Sequence, residues 1–229
     1  MYRHLTVVIL SMLCTYNSSA QNIVRVLFRS TWGNSPLLLD SSVYATKDTS
    51  NVAITNLKYY VSGITLLHNS HLVYSEPNSV HLIDARMPSS SKVLLHLPKD
   101  VFYNRISFNL GIDSMTNVSG AMGGDFDPTK GMYWTWQSGY INFKLEGKSN
   151  ACKTRNNEFH YHLGGYSYPF SSMQPIVLNI ASTDSIVIEA DVAAFINQYD
   201  LGTQNSVMIP GLTAVSMSRQ AAAIFSVRK

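Results

Sequence analysis

Gly131-Met132-Tyr133-Trp134-Thr135-Trp136-Gln137-Ser138-Gly139-Tyr140-Ile141-Asn142-Phe143-Lys144-Leu145-Glu146 contains two patterns that conflict. In its second half Ile141, Phe143 and Leu145 alternate with Asn142, Lys144 and Glu146. That is the period of a strand with one apolar side. In its first half Met132, Trp134 and Trp136 share a side and form one soft, bulky surface. Continued at period two, that side would carry Tyr140, Asn142 and Lys144, which is the polar side downstream. One residue of slip is needed, and Ser138-Gly139 is where a bulge or sharp bend would supply it. Either the tryptophan pair faces away from the main core or the chain turns there.

Outward from this segment, period-two patterns recur at residues 23–28, 57–67, 80–83, 92–97, 105–110, 159–163, 176–180 and 185–188. Between them lie turn signals such as Ser35-Pro36, Glu76-Pro77-Asn78, Met87-Pro88-Ser89, Leu97-Pro98 and Gly123-Gly124-Asp125. Many short strands at this spacing predict a mainly β protein, an antiparallel β-sandwich. Helices are few and mostly C-terminal, at residues 191–198 and 216–225, the latter helped by three consecutive alanines. No repeat or linker divides the chain, so residues 21–229 read as one domain.

The chain has 229 residues, 45% hydrophobic and 14% charged, with a net charge of +3. The low charge content leaves Ser, Thr, Asn and Tyr to solvate the surface, and no basic run suggests nucleic acid. The start reads as a secretory signal peptide over residues 1–20. Arg3 and His4 precede a short apolar run, and Ser18-Ser19-Ala20 provides the small residues of a cleavage site before Gln21. A lipoprotein signal at Cys14 is the rival, with Leu13 where a small residue should precede the cysteine. Cleavage after Ala20 leaves Cys152 as the single thiol, so no internal disulfide is possible. Its polar surroundings make it read as an incidental loop residue.

Phe159-His160-Tyr161-His162 places two imidazoles on one side of a strand, where both can reach one metal ion. Met132 and the aromatic side of Trp134 and Trp136 would shift such a site towards Cu(I) rather than Zn(II), since no thiolate or carboxylate sits at ligand spacing beside them. The competing interpretation of the Trp-Thr-Trp pair is ordinary core packing. His68, His71, His81 and His96 show no tight spacing and read as surface residues. Asp125-Phe126-Asp127-Pro128 lacks the later acidic ligand of a calcium loop and reads as a turn. Hydrolase elbows, zinc-protease helices and phosphate loops are absent, which leaves no argument for hydrolytic catalysis.

Several blocks together carry a resemblance. These are Leu57-Lys58-Tyr59-Tyr60-Val61-Ser62, His81-Leu82-Ile83-Asp84-Ala85, the run from Asp127-Pro128-Thr129-Lys130 through the tryptophan pair to Tyr140, Lys144-Leu145-Glu146-Gly147, and Tyr161-His162-Leu163-Gly164-Gly165. In this order they resemble the MbnP-like proteins, exported copper-binding proteins related to methanobactin systems, over residues 23–225. The resemblance implies a periplasmic or secreted β-sandwich that binds copper without catalysis. It also implies a tryptophan oxidised to kynurenine by a partner dihaem peroxidase-like enzyme. Carried over, His162 is the best-matched ligand, His160 lies just outside the shared pattern, Met132 is a soft neighbour, and Trp134 or Trp136 is the candidate for modification. Relatives carry histidines near the first strand and the C-terminus, where residues 28–33 and 207–211 here have none. The alternative is therefore an exported β-sandwich interaction module, for glycan or protein, that has lost its metal site.

Overall fold

A computed structural model describes residues 22–135 and 138–228. The expected leader, its cleavage site, Cys14 and Trp136 lie outside the described residues. In chain order the strands are β1 (Asn22–Trp32), β2 (Ser35–Pro36), β3 (Tyr44–Ala45), β4 (Asn51–His68), β5 (His71–Ser75), β6 (Val80–Asp84), β7 (Lys92–Leu97) and β8 (Arg105–Leu110). Helix α1 (Ser114–Val118) follows, then β9 (Tyr133–Thr135), β10 (Gly139–Ser149), β11 (Glu158–Gly164), β12 (Gln174–Asn179) and β13 (Ser185–Asp191). The chain closes with α2 (Val192–Ile196), β14 (Ser206–Val207), α3 (Leu212–Ala222) and β15 (Phe225–Val227).

Among the described residues these strands form a five-stranded and a ten-stranded sheet. The smaller runs β15-β13-β1-β2, with β7 also on β1, and the larger runs β12-β8-β4-β10-β11-β14, with β3, β5, β6 and β9 attached. Alternation in β7 and β8 is strict, each burying every second residue. Their apolar sides close against the main core, where Val24, Val26 and Phe28 of β1 share one cluster with Tyr59 of β4 and Phe143 of β10. The rings of Phe28 and Phe108 meet edge-on at 5.5 Å. Pairing is mainly antiparallel, as alternation alone suggests, but β1 pairs with β13 in parallel, as β11 does with β14. Those pairs join segments distant in sequence, so no local turn announces them.

A second, smaller apolar cluster lies on the outer side of the large sheet. It is built by Tyr60, Leu82, Ile112, Met132, Tyr140 and Ile141. Its existence resolves the register conflict. β9 and β10 form an antiparallel pair with Thr135 opposite Gly139, so the chain reverses between the tryptophan side and the alternating strand. Gly139 sits at φ +72°, the left-handed region a glycine adopts without cost. A further register shift falls between Ile141 and Phe143. It turns Ile141 into the outer cluster while Phe143 and Leu145 enter the main core. The expectation that all three share the core side is thus corrected for Ile141.

Two other expectations change. Phe225 opens strand β15 instead of ending a helix, and its ring packs on Tyr59 at 5.4 Å and Phe108 at 5.7 Å. The alanines themselves stay helical, Ala221 and Ala222 within α3 and Ala223 as its C-cap, and the helix ends before Phe225 enters the core. Cys152 is in a turn, as expected, but its side chain is buried in the main core, which pushes its thiol pKa up.

Candidate metal centre

Antiparallel pairing of β10 and β11 sets Lys144 opposite His162 and Glu146 opposite His160. On the far side of β10, β4 sets Lys58 opposite Lys144 and Asn56 opposite Glu146. Phe143, Leu145, Tyr161 and Leu163 point into the core from the same strands. The alternate residues therefore form a polar row on the outer side of the sheet.

Glu146, His160 and His162 in this row offer donor atoms that all lie within 4.8 Å of one another. They are the one such group of three His, Cys, Asp or Glu side chains among the described residues. His162 is buried and the other two are half-buried. Nε2 of His162 stands 2.6 Å from Oε1 of Glu146, and Nδ1 of His160 stands 3.8 Å from the same oxygen. Asn56 Nδ2 donates to Glu146 Oε2 at 2.9 Å, and the Lys144 ammonium lies 3.4 Å from Oε1. Burial alone would raise the Glu146 pKa. The hydrogen bonds from His162 and Asn56 and the positive charge of Lys144 outweigh burial and hold it at about 2. The carboxylate is thus ionised at neutral pH.

Two imidazoles and a carboxylate are a donor set that divalent transition metals accept. One further observation fits an ion here. Oδ1 of Asn56 is buried and has no hydrogen-bond partner among the described residues. A buried acceptor of this kind calls for a donor, which an ion-bound water would supply. Glu146 corrects the expectation that no carboxylate sits beside the histidines. Its place on the polar side of a clean alternating strand was visible, but its pairing with His160 depends on the β10–β11 register.

The segment before β9 is fastened across the same side of the sheet. Asp125 accepts from Lys130 Nζ at 2.7 Å and from the backbone of Leu82 at 3.1 Å, so this stretch is a braced turn. Lys58 and Lys144 donate to the carbonyls of Lys130 and Gly131, each at 3.1 Å. Met132 is then completely buried in the outer apolar cluster, where its carbonyl accepts from Ile141 N at 2.8 Å. That level of β10 is roughly 10 Å along the strand from Lys144 and His162, so Met132 is not brought to the triad. Trp134 is half-buried, and its ring lies over Gly164. His162 is on the same side of β11, one pleat or roughly 7 Å away. His81 departs from the surface reading: it is half-buried, and its Nε2 lies 2.9 Å from Glu76 Oε2.

The MbnP family profile matches residues 21–209 of the chain. In structure the chain is similar to MbnP from Methylosinus trichosporium, with a TM-score of 0.64 and 16% identity over 86% of this chain and 87% of that one. At that identity the likeness speaks for the fold alone. No curated protein matches the chain.

Proposed function

The chain belongs to the MbnP family, and from that premise we propose that it is an exported, periplasmic or secreted, copper-binding protein without catalytic activity. The convergence of Glu146, His160 and His162 carries this reading, because it supplies a compact nitrogen and oxygen donor set on the sheet's outer side. His162 and His160 would each give a ring nitrogen and Glu146 a carboxylate oxygen. Asn56 positions that carboxylate through its second oxygen. This set is harder than imidazole with thioether, which moves the preference at this site from Cu(I) towards Cu(II).

In this reading Trp134 is the ring for oxidation to kynurenine by a dihaem peroxidase-like partner. Among the described residues it is the tryptophan of the shared block that is held over Gly164, one pleat from His162. Intact mass and metal analysis of protein from its native host test both parts. A modified tryptophan adds about four mass units, one carbon lost and one oxygen gained. Bound copper is counted in the same sample. Unmodified mass with no copper, from copper-replete cells, would move the assignment to an interaction module.

A further inference from the structure

A cleft of about 690 Å³ opens on the outer side of the large sheet, beyond the apolar cluster as seen from the triad. Strands β4, β6 and β8 supply its floor, and α1 and the turn around Met122 supply its walls. Three of the chain's nine methionines line it: Met115, Met122 and Met173. Met115 is 80% exposed, and the other two are half-buried. Elsewhere Met132 and Met217 are spent on packing and are buried. Glu76, Asp113 and Asp125 also line the cleft, each held by a partner: Glu76 by His81, Asp113 by the first turn of α1 and Asp125 by Lys130.

The walls are held in place. The backbone N–H of Met122 donates to the Tyr140 hydroxyl at 3.1 Å. The helix bearing Met115 is capped by Asp113, which accepts from Thr116 N at 2.7 Å. Methionine has a flexible, unbranched side chain, so sulfurs from facing walls can converge on one ion. Thioethers select soft ions, Cu(I) above all. A hard cation would have no use for the thioethers.

We propose that this cleft captures a soft monovalent ion on the sulfurs of Met115, Met122 and Met173, separately from the histidine site. The natural ion, Cu(I), follows from the copper reading above, whereas the softness of the site is read from its own side chains.

The test uses the full mature chain with methionine methyl groups labelled by carbon-13 and silver(I) nitrate in chloride-free buffer as the probe. His160→Ala/His162→Ala removes the competing imidazoles. The resonances of Met115, Met122 and Met173 should shift together and saturate, while those of Met87 and Met208, exposed elsewhere, do not follow. Equal shifts at every exposed methionine, or no shift at the three, would overturn the proposal. Met115→Leu alone, at a surface position that folding tolerates, should weaken silver binding, and unchanged binding would count against it. Copper failing at the triad while silver saturates the cleft would sink the function above and leave this proposal standing, and the reverse outcome would do the opposite.

Discussion

The indole of Trp134 fills the space above Gly164, its Cζ3 lying 2.6 Å from where a Cβ on residue 164 would stand. The Tyr140 carbonyl oxygen would meet the same Cβ at 2.7 Å. Glycine at 164 is therefore what lets the tryptophan segment lie down beside His162. Gly164→Ala should destabilise the protein by about 1–3 kcal/mol, the usual effect of overpacking. A chemical denaturation midpoint equal to that of the wild type would contradict this contact.

Phe143 leaves the neighbouring strand β10 on the opposite side of the sheet and packs against Phe195 at 5.4 Å. Phe143→Ala should cost about 3–5 kcal/mol through lost burial and the cavity left behind. Metal binding by the folded fraction should not change, because the ring points away from the triad. Loss of metal with little loss of stability would show that the two sides of β10 are not arranged as described.

Lys144 competes with any ion for Glu146, since its ammonium stands 3.4 Å from Oε1. Lys144→Gln should tighten copper binding by up to about fivefold, matching the modest strength of a partly exposed ion pair. Isothermal titration would measure it. Weaker binding would mean that Lys144 serves the site by holding the Gly131 carbonyl.

Burial raises the pKa of Tyr59, Tyr60 and Tyr161 above the ordinary tyrosine value of 10.0. For each, the unfolded chain loses its proton first, so the folded state is the one that keeps it. Their contribution to stability is complete below pH 10 and falls as pH rises through the higher folded-state values. Urea midpoints followed from neutral pH upwards should stay level until about pH 10 and then decline. A midpoint that stayed level well above pH 10 would contradict the burial of these phenols.

Local signals and long-range ones fared differently in the sequence. β7 and β8 have the bounds that their alternation suggests, because the pattern and the flanking turns are local. The slip at Ser138-Gly139 was legible too, since a parity conflict needs only neighbouring residues; the structure resolves it with the β9–β10 reversal. His160 and His162 share a side by the same local rule. Glu146 joins them only through the register of β10 on β11, and Gly164 meets Trp134 only through the placement of the preceding segment. Alternation puts Met132 on the side of Trp134, and the family resemblance makes it a soft neighbour of the site. The reversal buries it in a cluster that exists only once Tyr60, Leu82 and Ile112 arrive from other strands.

The most direct test is copper binding by the mature chain, followed by electron paramagnetic resonance, in wild type, Glu146→Gln, His160→Ala and His162→Ala. The wild type should bind one Cu(II) ion with nitrogen couplings from two imidazoles. His162→Ala should abolish Cu(II) binding, because His162 is the buried member of the triad and is hydrogen-bonded directly to Glu146, and the other two substitutions should weaken it. Full copper binding by His162→Ala, with the wild-type spectrum, would contradict the assignment of Glu146, His160 and His162 as the metal centre.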